Sequence, residues 1–223
     1  MTRRLSAARP RVAGTPRRAM TGADYRHARR HLMQRDPILG AIIAAHGRCG
    51  LADGVYDHGL QAMIESIVWQ QLSGKAAAAI FGRFVALFPP GRFPTADEIL
   101  AVPPAALRAA GLSQQKASYI RDVCQRVASG QLDLDGLVAM GDEEVIVRLT
   151  QVRGIGRWSA EMFLMFRLQR PDVLPVGDLG IVKAIQRAYR LRKPPTAARM
   201  LTIGRAWQPY RSVASWYLWA SLR

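Results

Sequence analysis

Beyond about Ala23, apolar residues recur every three to four positions, and no β-branched alternation marks a strand. Leu60 to about Leu87 is apolar at helical spacing, with a break near Ser73-Gly74. Thr95 reads as an N-cap, and Glu98 three residues on completes a capping box. Pro103-Pro104 starts a short helix that Gly111 ends. Ser113 caps the next, which runs to Gly130 with Ile120, Val123, Cys124 and Val127 on one face. Asp142 is expected to cap a helix whose apolar residues are Val145, Val147 and Leu149. Further helices are expected from about Arg157 to Leu168 and after Asp178, the latter with Ile181, Ile185 and Ala188 facing inward. Two more begin near Thr196 and at Pro209, the last carrying Trp216 and Trp219. The class expected is all-α, without internal repeats. Residues 1–23 are rich in Arg, Ala, Pro and Gly and lack an apolar period, which reads as a disordered basic tail. Such a tail suits an inert extension, a DNA-touching arm or a transit peptide.

A chain of 223 residues with 49% hydrophobic content fits one or two globular domains. The most apolar stretch, Ala76 to Phe88, is too short to span a membrane and is interrupted by Arg83, and no secretory signal opens the chain. An intracellular protein, cytoplasmic or at the nucleoid, is expected. The net charge of +16 is unevenly spread: +9 over residues 1–51, −4 over 52–147 and +11 over 148–223. That asymmetry points to a polyanion, although 28 of the 32 basic residues are Arg, as an Arg-rich composition alone would give. Cys49 and Cys124 form neither a disulfide framework nor a metal site, and His27, His31, His46 and His58 lack ligand spacing. Neither zinc nor an iron–sulfur cluster is expected.

Two features carry candidate chemistry. In Thr150-Gln-Val-Arg-Gly-Ile-Gly-Arg-Trp-Ser-Ala-Glu-Met162, glycines 154 and 156 form a tight turn opening a helix. Its amides and the helix dipole suit a phosphate, though an ordinary helical hairpin uses the same turn. Sixteen residues on, Asp178 stands in Leu174-Pro-Val-Gly-Asp-Leu-Gly-Ile181. An Asp before a helix is commonly an N-cap. An ionised carboxylate there is also suited to stabilise a sugar cation and orient water, as glycoside cleavage requires. The rival acid, Asp172, follows Arg170-Pro171 and reads as a solvated loop residue.

Val152-Arg-Gly-Ile-Gly-Arg-Trp-Ser-Ala160 together with Leu174-Pro-Val-Gly-Asp178 resembles the helix–hairpin–helix, Gly/Pro-Asp DNA glycosylase superfamily, in its alkylpurine (3-methyladenine II) branch. Three further segments resemble that branch in order: Ile67-Val-Trp-Gln-Gln-Leu-Ser73, Leu107 to Ile120, and Trp207-Gln-Pro-Tyr-Arg-Ser212. The resemblance covers roughly residues 30–223. It implies two helical lobes with the active cleft between them. One lobe comprises 24–55 with 173–223, the other 56–172, with the hairpin at about 142–168. The extra N-terminal β-domain of some members is not expected, given the few residues before Asp36-Pro37.

By this resemblance Asp178 is the catalytic carboxylate, and Gly154, Gly156, Arg153 and Arg157 hold DNA phosphate. Backbone carbonyls of Thr150, Val152 and Ile155 would bind a structural monovalent cation, Na+ or K+, and no other cofactor is required. Gln71 sits where the family places the residue that fills the gap left by the flipped base, although an amide there is also a common loop residue, and Ser73 lies near the DNA. Trp158 occupies the place of the lyases' lysine, which implies a monofunctional enzyme using water. It reads equally as a pocket wall stacking on a cationic base and as a core aromatic. Trp69 and Tyr210 are pocket or core aromatics, and Met162 stands where some relatives are aromatic. Gly177 replaces an acid that often precedes the catalytic Asp, leaving Asp178 alone. Arg211 contacts a phosphate or caps a helix.

The expected function is removal of alkylated purines from damaged double-stranded DNA by a monomeric, monofunctional glycosylase. The competing readings are a non-enzymatic DNA-binding module and a bifunctional glycosylase/lyase acting on oxidised bases.

Overall fold

The computed structural model describes residues 20–53 and 59–223. The tail at 1–19 and the lobe boundary near 56 lie outside the described residues. The described residues form twelve α-helices and no strand, so the chain is all-α.

Helix α1 (Gly22–Arg35) starts two residues inside the stretch read as tail. Thr21 and Asp24 close a capping box, in a first turn with no apolar periodicity to announce it. Asp36 caps α2 (Pro37–His46), accepting from Ile38 N at 3.0 Å and Leu39 N at 3.1 Å, with Pro37 in the first helical position. Helices α3 (Gly59–Trp69) and α4 (Gly74–Val85) are divided where Gln71 adopts a φ of 56°. The Thr95–Glu98 capping box opens α5 (Ala96–Ala101). Helix α6 (Pro104–Ala109) follows, and Ser113 caps α7 (Gln114–Ala128).

Several elements depart from expectation. The N-cap of α8 (Asp142–Leu149) is Gly141, and Asp142 is already helical, where its charge suits the positive end of the dipole. Val147 is 59% exposed, and Ile146 takes the inward position because Val145, Ile146 and Leu149 share a helical face. Helix α9 (Arg157–Met162) does not continue regularly to Leu168. It widens into a π turn over Phe163–Arg167, a geometry frequent at functional sites. Helices α10 (Leu179–Ala188), α11 (Ala197–Gly204) and α12 (Arg211–Ala220) complete the chain; in α10 the buried alanine is Ala184 and not Ala188, and α12 starts at Arg211 after Tyr210 and not at Pro209.

The buried residues form two cores. One runs from Ala62 to Val173, through α3 to α9 and the π turn. The other joins α1 and α2 to α10, α11 and α12 around Leu32, Ile43, Trp207 and Tyr217. Fully burying a large apolar side chain contributes about 1.5–3 kcal/mol, so Trp207 and Tyr217 are major anchors of the second core. Asp36 is buried there without strain on its polarity: it accepts from Trp207 Nε1 at 2.8 Å and from the Tyr189 hydroxyl.

The chain crosses between cores at Arg170–Val173, and that crossing is latched. Buried Arg170 donates to Val138 O at 2.9 Å and Met140 O at 2.8 Å. Ser212 Oγ of α12 donates to Arg170 O at 2.6 Å and accepts from Val173 N at 2.9 Å. Phe166 and Trp219 pack against both cores, so they mark the seam. Cys49 and Cys124 are reduced and buried, and burial pushes both thiols up to about 12. Among the described residues no helix is long and apolar enough to cross a membrane.

Candidate active site

The hairpin between α8 and α9 depends on one glycine more than the other. Gly154 has a φ of 80°, the left-handed region, and a Cβ there would run into the Tyr119 ring, 2.6 Å from its Cγ. Gly156 has a φ of −94° and open space around it. As the N-cap of α9 it brings no side-chain acceptor, so the first-turn amides are left for a ligand. The turn is buttressed from other helices. Gln70 Nε2 donates to Gly154 O at 2.9 Å, and Asp122 Oδ2 accepts from Arg153 N at 2.9 Å. Lys116 Nζ donates to Val68 O and Gln70 O, both at 2.7 Å, closing the C-terminal end of α3. Burial lowers the pKa of that ammonium.

Asp178 is the N-cap of α10 and more. Its Oδ1 accepts from Ile181 N at 2.8 Å and from Trp219 Nε1 at 2.9 Å. Its Oδ2 accepts from Trp158 Nε1 at 2.7 Å. Helix α9 supplies one indole, α12 the other, and the capping bond fixes the carboxylate between them. The group therefore sits at the seam of the two cores, held by N–H donors that fit an acceptor-only carboxylate.

Trp158 is 42% exposed, so it is not a core aromatic. Together with Trp69, Met162 and Phe166 it walls a cavity of about 290 Å³ beside the carboxylate. Trp69 is braced edge-on by Phe81, with ring centroids 5.8 Å apart. Phe166 comes from the π turn and stacks on Trp219 at 6.1 Å and 20°. Aromatic walls beside a fixed carboxylate can hold a flat, electron-poor ring while charge develops on the atom attached to it.

Other expected residues are placed differently. Tyr210 does not line this cavity. It precedes α12 and packs edge-on against His27 and His31 of α1, at 5.9 and 5.3 Å. Arg211 is held by Asp172, with Nε to Oδ1 at 2.7 Å and Nη2 to Oδ2 at 2.9 Å, so its fork is not directed at a phosphate. Asp172 is correspondingly not a solvated loop residue, its side chain being 17% exposed. The Arg157 guanidinium is committed to Glu143 (2.5 and 3.1 Å) and Glu161 (3.1 Å), leaving its main-chain amide for an anion. The hydrogen bond from Arg157 lowers the Glu143 pKa, whereas burial, outweighing Arg157, raises that of Glu161. Gln71, Ser73 and Arg153 are exposed on the loops that flank this face. The Thr150–Ile155 carbonyls belong to the tight turn, where Val152 O takes the Ile155 amide at 3.1 Å and keeps a second lone pair.

Sequence reasoning missed Trp219, Phe166, Gln70 and Lys116 as parts of the site. Trp219 is 41 residues from the acid it contacts, beyond any local pattern. Gln70 and Lys116 were legible as motif residues, but not as the braces of the hairpin.

Comparison with known proteins supplies a context for this geometry. A family model described as HhH-GPD superfamily base excision DNA repair protein matches residues 64–209. DNA-3-methyladenine glycosylase 1 of Schizosaccharomyces pombe is 39% identical over 158 residues, spanning 70% of this chain and 69% of that protein. The putative DNA-3-methyladenine glycosylase YfjP of Bacillus subtilis is 35% identical over 190 residues, 82% of this chain and 65% of that one. Among solved structures, the S. pombe 3-methyladenine DNA glycosylase Mag1 in complex with abasic DNA superimposes with a TM-score of 0.80 and 34% identity. It covers 87% of this chain and 96% of that one.

Proposed function

Since the chain belongs to the HhH-GPD superfamily of base excision DNA repair proteins, we propose that it is a monofunctional DNA glycosylase that releases alkylated purines by hydrolysis. The observation that carries this reading is the Asp178 carboxylate, fixed between two indole N–H donors next to an aromatic cavity.

In the proposed reaction, the hairpin amides at Gly154 and Gly156 and the Arg153 side chain grip the backbone near the lesion. Gln71 and Ser73 lie on the loop facing the duplex, and Gln71 takes the place of the extruded nucleotide. The base enters the cavity against Trp158 and Trp69. The N-glycosidic bond breaks with both electrons passing to the base, so an N3- or N7-alkylated purine, cationic while attached, departs neutral. Asp178 stabilises the positive charge left on the sugar and orients water, whose oxygen bonds to the sugar carbon while its proton passes to the carboxylate or solvent. The leaving group needs no protonation, which is why one carboxylate suffices.

A lyase step would need an amine at the sugar. By the family resemblance Trp158 takes the place of that amine, and Lys116 is engaged by the carbonyls of Val68 and Gln70. The carbonyls of Thr150, Val152 and Ile155 would hold a monovalent cation that adds positive potential to the phosphate grip. We read the protein as a monomer acting on double-stranded DNA inside the cell.

Incubation with N-methylated duplex DNA tests the proposal. Free methylated purine should appear, with an intact abasic strand and no borohydride-trappable adduct. Binding without base release would leave a DNA-binding module, and a trapped adduct would replace the water mechanism with a lyase.

A further inference from the structure

The aromatic walls leave the polar part of the cavity unexplained. Helix α3 turns two faces to its surroundings: Met63, Ile64, Ile67 and Val68 are buried in the core, whereas Ala62, Glu65, Ser66 and Trp69 line the cavity. At the far end of the π turn, Arg167 lines it as well. The Ser66 hydroxyl is turned back onto its own helix, donating to Met63 O at 2.8 Å. The charged lining is one acid and one base in an otherwise largely apolar, half-open cavity.

We propose that Glu65 and Arg167 set the charge preference of the base pocket, Glu65 favouring cationic bases and Arg167 offsetting that preference. This rests on the glycosylase reading above. A base alkylated at N3 or N7 carries a positive charge, whereas a deaminated base such as hypoxanthine is neutral. Aromatic faces attract the cation. A guanidinium in the same enclosure repels it, and a carboxylate there attracts it. In a cavity of about 290 Å³ an occupant lies near both groups, which are half-buried, so water screens each only in part. Their charges are opposite, so removing one shifts the field at the occupant in the opposite sense to removing the other. Phe166 and Arg167 both belong to the π turn and both line this wall.

The experiment compares release of 7-methylguanine and of hypoxanthine from matched duplexes under single-turnover conditions, corrected for spontaneous loss. Glu65→Gln should lower the methylguanine-to-hypoxanthine rate ratio roughly tenfold, the size expected for removing one nearby charge in a partly screened site. Arg167→Gln should raise it. Each ratio comes from one preparation, so partial loss of folded enzyme cancels. Glu65→Asp should keep most of the wild-type ratio. Ratios that stay unchanged, or that move in the same direction in both Gln variants, overturn the proposal. Wild-type protein that releases neither base overturns the glycosylase reading itself, an outcome separable from an unaltered ratio.

Discussion

Replacing Gly154 with alanine makes two separable demands on the hairpin. At a φ of 80° a Cβ costs about 1–2 kcal/mol against the following carbonyl. The new methyl would also run into the Tyr119 ring, 2.6 Å from its Cγ. The contact runs along one edge of the ring, Cδ2 and Cε2 lying nearer still than Cγ, so relief requires the whole ring to shift, and such overpacking adds about 1–3 kcal/mol. The sum, about 2–5 kcal/mol, corresponds in a chain of this length to a fall in Tm of about 4–20 °C. Thermal unfolding by circular dichroism measures it, with anisotropy titration of duplex DNA at fixed salt to follow the grip. Tyr119→Ala in the same background separates the demands, because it removes the clash and keeps the backbone strain. The double-mutant cycle should show a coupling of about 1–3 kcal/mol. A Gly154→Ala protein that melts and binds like its parent, or a cycle with no coupling, refutes the account of the hairpin.

Trp219→Phe removes one N–H donor from Asp178 and keeps the ring against Phe166. A charge-assisted hydrogen bond contributes about 1.5–3 kcal/mol, so single-turnover base release should slow about tenfold or more with DNA affinity unchanged. Arg153→Ala should reduce the salt-dependence slope of DNA binding by about one ion, whereas Arg211→Ala should leave the slope and lower Tm, its fork being spent on Asp172. Glu161 is 5% exposed and its pKa is raised by burial, so the folded state binds its proton more tightly than the unfolded chain does. Its contribution therefore falls as pH rises from the unfolded carboxyl value through the folded one. The stability of Glu161→Gln relative to wild type, from urea unfolding, should rise between pH 4 and 7; a pH-independent difference would contradict this.

Local chemistry makes much of this protein legible in its sequence. The Thr95–Glu98 box, the Ser113 cap and the breaks at Ser73-Gly74 and Gly111 are determined by residues within a few positions, and each lies where its pattern puts it. The candidate acid is visible because Asp178 caps a helix in a Pro/Gly-rich turn. What the sequence does not reveal is set by distant partners. Tyr210 is drawn to α1 by histidines nearly two hundred residues away in sequence, and Arg211 is claimed by Asp172 across the crossing between cores. Trp219 reaches Asp178 only because α12 packs on α10. The π turn is a small change of helical pitch that periodicity over twelve residues does not resolve, yet it supplies Phe166 and Arg167 to the cavity.

The central claim is that one carboxylate at the seam of the two cores carries the chemistry. Asp178→Asn keeps its size and an oxygen able to accept from Ile181, Trp158 or Trp219, while it removes the charge. Single-turnover release of 7-methylguanine from duplex DNA, measured beside the binding affinity of the same preparation, tests that claim most directly. The account predicts at least a roughly hundredfold loss of release with affinity within a few-fold of wild type. Base release that continues at the wild-type rate in the Asn variant would contradict it.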